Sequence, residues 1–474
     1  MQYLIRFTQW HESFRLAEIQ ALAELAGVDL KIVSYDDDSP FCIVELPSDE
    51  AAQAVLKRSI LAHSIHEHWA TADTLDQLHA NIQAHTAHRW RQYDEPSFKI
   101  SVDCYRGTRS QKQKVALIET FSYLDFKGPI KMKSPDHEFT LFEQWTLESM
   151  PQNLPAPIKV HFGRLLGHGA RDIINTYDLK KRGYISTTSM DSELALVTAN
   201  LALAGPGKIL YDPFAGTGSF PVACAHFGAV AWGSDIDGRS MRGDGREKSL
   251  KGNFQQYGLQ TLLGGLFVSD LTNTPMRKAR LLDGILCDPP YGVREGLKVL
   301  GYSDPEKTAR SLKRGKDAYL LVSELNGRPQ MLTRSRDPAF VPPKKAYSFM
   351  AMLDDILNFA ADMLVDNGRL SFWMPTANAE DQVIDTPTHP CLELVAVCTQ
   401  VFNKWSRRLI TYRRIPDSEV DLIALEERLK QENMTNGHSA DDLNPFRRQY
   451  FRGFKSDKEV VGNVASEANC AAVK

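Results

Sequence analysis

At 474 residues, 43% hydrophobic and 24% charged, the chain has the composition of a globular protein with room for two or three domains. A net charge of −3 excludes attraction of a polyanion by the molecule as a whole, so any nucleic-acid contact has to be local. Seven cysteines without a C-x-x-C pair argue against a zinc knuckle or a disulfide framework, and no apolar run approaches the roughly 20 residues of a membrane span. A cytoplasmic protein with no membrane contact and no metal site of its own is expected.

Residues 1–70 read as strand 3–7, helix 14–26, strands 31–34 and 41–46, helix 49–58 and strand 65–69, the βαββαβ order of a ferredoxin-like domain. A further α/β pattern follows: strand 98–104, helix 111–124 and strand 138–145. Residues 89–133 hold ten Lys or Arg against five acids, with Tyr93, Tyr105 and Tyr123 interleaved. That is either a phosphate-tracking, base-stacking surface or a solvated face of a small domain. Proline-rich residues 149–160 predict a linker or turn, residues 161–166 a last strand, and residues 177–182 a basic turn. Ser189, Ser192 and Glu193 then resemble a capped helix start, with the helix ending near residue 204.

Ile209-Leu-Tyr-Asp-Pro-Phe-Ala-Gly-Thr-Gly-Ser-Phe reads as strand, glycine turn and helix, the first unit of a doubly wound α/β sheet. Three more strands end in acids, so Asp212, Asp235, Asp270 and Asp288 gather along one sheet edge. Asp235 lies 23 residues past Asp212, close to the spacing at which an acid meets a ribose diol. A dinucleotide is disfavoured because Pro221 stands where the third glycine belongs, and a P-loop because no Gly-Lys-Ser/Thr follows. S-adenosylmethionine, with a cationic sulfonium and no phosphates, suits this acid-rich edge. Residues 306–345 carry ten Lys or Arg against four acids, a long substrate-facing insertion or loop. A helix over 348–364, a strand over 370–374, an antiparallel pair over 392–402 and 409–413, and a charged helix over 420–432 complete the pattern.

Asp288-Pro-Pro-Tyr-Gly is the chemical signal. An exocyclic base amine is a poor nucleophile because its lone pair is conjugated into the ring. The Asp288 carboxylate and Pro289 carbonyl can accept its two hydrogens, Pro289 and Pro290 stiffen the turn, and Tyr291 offers a stacking face. An amine methyltransferase follows. An adenine N6-methyltransferase for RNA or DNA, or a catalytically silent RNA-binding scaffold, are the alternatives.

Arg58-Ser-Ile-Leu, Tyr177-Asp-Leu-Lys-Lys-Arg, Asp212-Pro-Phe-Ala-Gly-Thr-Gly-Ser-Phe, Gly233-Ser-Asp-Ile-Asp-Gly, Cys287-Asp-Pro-Pro-Tyr-Gly-Val-Arg-Glu and Phe402-Asn-Lys-Trp-Ser-Arg-Arg-Leu are similar to the catalytic subunits of eukaryotic tRNA guanine-10 N2-methyltransferases. The likeness spans about residues 1–415, with an echo at Arg447-Arg-Gln-Tyr-Phe. It implies a ferredoxin-like domain (1–70), a THUMP RNA-binding module (71–165), a linker (166–186), a Rossmann-like class I methyltransferase domain with an antiparallel C-terminal hairpin (187–415), and a charged, partly mobile tail (416–474). The expected cofactor contacts are Thr187, Asp212, Phe214, Gly216, Gly218, Asp235 and Asp270. The expected tRNA contacts are Lys180, Lys181, Arg182, Lys404, Arg407 and Arg408; the basic run from Lys404 to Arg414 holds no acid. The resemblance further implies a small zinc-binding activating subunit adding a strand beside the third strand of the enzyme sheet, at residues 262–268.

Overall fold

The computed structural model describes residues 1–146, 156–245, 247–293, 296–300, 344–378, 384–430 and 444–452. Most of the basic insertion, the proline-rich segment and much of the tail lie outside these residues. The chain forms two compact units, Met1–Ile174 and Asn175–Lys474.

The first unit is built on β1 (Gln2–Phe7), β2 (Lys31–Tyr35), β3 (Phe41–Glu45), β4 (Ala62–Ala72), β5 (Phe98–Tyr105), β6 (His137–Gln144) and β7 (Lys159–His168). They form one sheet in the order β2-β3-β1-β4-β7-β6-β5, antiparallel except for the β5–β6 pair. The expected division at residue 70 falls within β4. β4 runs through that position, pairing β1 through Ile5–Ile65 and β7 through Glu67–Arg164, so the ferredoxin-like half and the following module share one sheet. The helix Leu75–Thr86 was not expected; Thr74 caps it, and only Leu78, Ile82 and Thr86 are buried, a stripe too narrow to stand out in the sequence.

The second unit contains β8 (Ile209–Asp212), β9 (Val230–Asp235), β10 (Leu263–Val268), β11 (Leu282–Cys287), β14 (Leu364–Ala377), β15 (Leu392–Val401) and β16 (Trp405–Arg414), with a separate ribbon of β12 (Lys298–Leu300) and β13 (Lys344–Ala346). The sheet order is β10-β9-β8-β11-β14-β16-β15. The first five strands are parallel and β16 and β15 add antiparallel. This is the expected doubly wound sheet with its C-terminal hairpin. Helix Phe349–Met363 buries Met352, Leu353, Ile356, Leu357 and Ala360 against Leu282, Ile285, Leu370 and Phe372. Burying each large apolar side chain is worth roughly 1.5–3 kcal/mol. Trp373 is fully buried and its indole donates to Thr198 Oγ1 (3.2 Å), in helix Ser192–Leu201.

The expected linker over 166–186 spans the end of β7 and the start of the second unit. Residues 166–168 complete β7, whereas residues 177–184 pack within the second unit. Tyr177 OH meets His226 Nδ1 (3.0 Å), Arg182 donates to Ser219 Oγ (3.0 Å), and the Tyr184 amide donates to Asn253 Oδ1 (3.0 Å). Among the described residues, no helix is long and apolar enough to cross a membrane, and no cluster of His, Cys, Asp or Glu is arranged to hold a metal ion.

Candidate active site

The strand order reverses between β8 and β11, which lie side by side through Leu210–Gly284 and Tyr211–Ile285. Ligands of doubly wound sheets bind beyond the carboxyl ends of the strands at such a point. Asp212 closes β8 there and Asp288 follows β11.

From Asp212 the chain turns through two left-handed glycines, Gly216 (φ +50°) and Gly218 (φ +90°). Gly218 enters helix Ser219–His226, and a Cβ on it would lie 2.7 Å from Leu250 Cγ. At Gly216 a Cβ would meet nothing nearer than 3.9 Å, so the loop faces open space. Asp212 is buried and accepts from the Phe214 amide (2.9 Å); Phe214 itself is half-buried against the core. Burial lifts the Asp212 carboxyl well above the usual carboxylate range, and the charges of Asp235 and Asp288 push the same way while the Phe214 amide opposes. Asp235 accepts from the Gly216 amide (3.0 Å) and the Asp237 amide (2.8 Å), which ties the end of β9 to the glycine loop. Ser189 Oγ meets Thr217 Oγ1 (2.8 Å), bringing the turn that carries exposed Thr187 beside the loop. Asp191 caps the helix Ser192–Leu201 by accepting from the Leu194 amide (2.9 Å); that corrects the expected cap, because Ser189 is engaged by Thr217.

In the turn after β11, Pro289 is buried, Asp288 and Pro290 are half-buried, and the Tyr291 hydroxyl donates to Asp288 Oδ1. Burial raises the Tyr291 phenol and the neighbouring Asp288 charge raises it further, so it stays a donor. Opposite stands Arg407, with Nη1 3.9 Å from Asp288 Oδ2 and Nη2 3.7 Å from Asp191 Oδ2. Its guanidinium lies over the Trp373 ring at 4.6 Å and donates to Gln400 Oε1 (2.6 Å). Arg407, expected at the RNA, therefore lines the Asp288 turn.

Other expected contacts are engaged within the fold. Asp270 is buried, and its two oxygens accept from the Thr272 amide (3.0 Å) and the Leu300 amide (2.7 Å), so it pins β12. Arg182 is buried under the ring of Tyr257 and holds Ser219. Arg408 is buried, donating to the Ile384 carbonyl, and Arg414 is buried and donates to the Ala361 carbonyl (3.1 Å). In the first unit Tyr93 and Tyr105 are buried, and Arg89, Lys99 and Arg109 are paired with Glu67, Glu138 and Glu143. Lys180, Lys181 and Lys404 are exposed.

Residues 1–171 match the family model described as the Tmrp11 THUMP N-terminal domain, and residues 180–314 match the RMKL-like methyltransferase domain. A protein of Saccharomyces cerevisiae named tRNA (guanine(10)-N(2))-methyltransferase is 43% identical over 414 residues, covering 87% of this chain and 92% of the relative. The chain belongs to the tRNA (guanine(10)-N(2))-methyltransferase family. The Schizosaccharomyces pombe member is 36% identical, covering 95% of this chain and 96% of its own length. The Homo sapiens member, tRNA (guanine(10)-N(2))-methyltransferase TRMT11, is 31% identical, covering 95% of each. The single THUMP model over residues 1–171 agrees with the unbroken first sheet.

Proposed function

We propose that the chain transfers a methyl group from S-adenosylmethionine to the exocyclic N2 amine of guanine 10 in tRNA, with Asp288 and Pro289 as the amine acceptors. As a family member it is a tRNA (guanine-N2)-methyltransferase. The observation that carries the site assignment is the juxtaposition of the glycine loop with the Asp288-Pro-Pro-Tyr turn on neighbouring strands β8 and β11.

The residues present fit the cofactor. Gly216 leaves open space, and Asp212 feels the charges of Asp235 and Asp288, a setting that favours a cation. Phe214, Gly216, Gly218 and Asp235 would hold S-adenosylmethionine, with Thr187 on the adjoining turn. When bound, it supplies the electrophilic methyl group. The Asp288 carboxylate and the Pro289 carbonyl orient the guanine amine by accepting its hydrogens, and Asp288 takes the proton that methylation acidifies. Tyr291 donates to one Asp288 oxygen, and Arg407 is an ion partner 3.9 Å from the other. Exposed Lys180, Lys181 and Lys404 support backbone contacts with the tRNA.

Asp288→Ala is expected to abolish methyl transfer while leaving cofactor and tRNA affinity near wild type. Digestion of the product tRNA to nucleosides should give N2-methylguanosine; N6-methyladenosine would overturn the substrate assignment.

A small zinc-binding activating subunit belongs to this reading. β10 pairs only β9 among the described strands, and exposed Val268 lies on it, an edge suited to strand addition. Cofactor affinity measured with and without such a subunit tests the partnership. A cytoplasmic location completes the proposal, and fractionation of cells carrying the tagged chain checks it.

A further inference from the structure

The C-terminal Arg447-Arg-Gln-Tyr-Phe segment has no part in the site built so far, yet it lies against it. Asn444, 2% exposed, donates from Nδ2 to the Tyr291 carbonyl (2.7 Å), and its Oδ1 accepts from the Arg447 amide (3.0 Å). One side chain thus caps the helix Pro445–Arg452 and grips the turn. The Arg447 guanidinium donates to the next carbonyl, that of Gly292. Phe446, 1% exposed, seats the helix against Trp405 (5.7 Å between centroids), whose ring in turn meets Tyr291 edge-on at 6.3 Å.

The turn is shaped to receive this segment. Gly292 is left-handed (φ +79°), and a Cβ there would lie 2.5 Å from Asn444 Nδ2. Only glycine combines that conformation with so close an approach. Consecutive carbonyls at Tyr291 and Gly292 are therefore held from outside by two donors carried on one helix. Both donors meet the turn at its Tyr291 and Gly292 carbonyls. What they fix is the backbone at the far end of the turn, and with it the direction of the carbonyl and carboxylate at its near end.

We propose that residues 444–451 are a strap that positions the catalytic turn, acting through Asn444 and Arg447 on the Tyr291 and Gly292 carbonyls. This rests on the role assigned to Asp288 and Pro289 above. Orientation matters steeply here, since a misplacement of about 1 Å at a reacting group can cost on the order of a hundredfold in rate. Asn444 and Arg447 are positioning residues: they set geometry and leave the chemistry to the turn.

The test is single-turnover methylation of tRNA by the full-length chain, at saturating tRNA and cofactor, beside cofactor affinity and melting temperature. Asn444→Ala and Arg447→Ala should each lower the rate about tenfold or more, with cofactor affinity held within about twofold. The double variant should fall little below the worse single, because both act through one turn. Arg447→Lys should recover much of the loss, since an ammonium can still donate to a single carbonyl. Wild-type rates in both single variants would overturn the proposal, as would losses of rate, cofactor affinity and melting temperature in parallel, which would mark a folding role. Asp288→Ala in the same assay separates the two readings. If it keeps its rate, the catalytic assignment itself fails. If it is inactive while Asn444→Ala and Arg447→Ala turn over normally, only the strap fails.

Discussion

Arg407 has two carboxylates, an amide oxygen and the face of Trp373 around it, and it is mostly shielded from solvent. A cation in that setting is an ion partner of the second Asp288 oxygen while the Tyr291 hydroxyl donates to the first. Arg407→Ala is expected to lower kcat about tenfold or more, equivalent to about 1.4 kcal/mol in the barrier, with tRNA affinity unchanged. Arg407→Lys should restore only part of it, because an ammonium lacks the planar group that lies on Trp373. Lost tRNA affinity with intact kcat would return Arg407 to the RNA-contact role expected from the sequence. The sequence does not separate these roles, for a reason visible in the chain. Trp405–Arg414 is a strand, so adjacent side chains point to opposite faces, and Arg407 and Arg408 cannot share one surface. A basic run looks the same in sequence whether its members meet RNA, a catalytic carboxylate or a buried carbonyl. Gly216, Gly218 and the Asp288 turn were legible because their chemistry is local: left-handed glycines and consecutive prolines state their own geometry.

Among the elements, β4 carries the first unit. Its Glu67, buried, takes Arg164 Nε from β7 at 2.8 Å, Arg89 Nη1 at 3.1 Å and the Tyr93 hydroxyl at 2.9 Å. Removing one partner of a buried charged network leaves the others without compensation, so Glu67→Ala should cost about 3–5 kcal/mol in urea unfolding. A cost under about 1 kcal/mol, the level of an exposed pair, would show the network to be dispensable. The same strand gives the unit a pH dependence. Burial holds His66 on β4 and His161 on β7 down to about 3, and His68 down to about 4, aided by neighbouring histidines, Arg89 and Lys159. Unfolded, each imidazole titrates near 6.5, so below that pH the unfolded chain binds more protons than the folded one. The contribution is whole above about pH 6.5 and is lost as pH falls towards the folded values, at roughly 1.4 kcal/mol per pH unit for each group. Unfolding midpoints at pH 7, 6 and 5 check this, and a constant midpoint would refute it. The parallel strands of the second unit were legible because each is an apolar run closed by an acid. The continuity of the first sheet was not, because a strand written once in the sequence gives no sign that it pairs on both edges. Nor did the sequence tell where the basic segment 177–182 packs, since its partners include Ser219 and His226, both distant along the chain.

For the whole molecule the question is how a chain of net charge −3 holds a tRNA. The long-range field offers no steering, so affinity has to come from a few exposed cations, and the salt dependence counts them. Of the basic residues expected at the RNA, burial removes Arg182 and Arg408, and Arg407 faces the catalytic turn; Lys180, Lys181 and Lys404 stay exposed. Removing one cation from a phosphate should flatten the slope of log affinity against log salt by roughly 0.7 to 0.9. Lys180→Ala with Lys181→Ala is therefore expected to flatten it by roughly 1.4 to 1.8 and to weaken binding most at low salt, with the rate at saturating tRNA near wild type. Arg408→Gln should instead leave the slope alone and lower stability, because its guanidinium serves the Ile384 carbonyl. An unchanged slope in the double lysine variant would move the grip to the exposed cations of the first unit, such as Arg91, Lys112, Lys131 and Lys133. The slope separates these outcomes where affinity alone does not. Misfolding lowers the competent fraction equally at every salt concentration, whereas taking a cation away from a phosphate changes the dependence on salt itself.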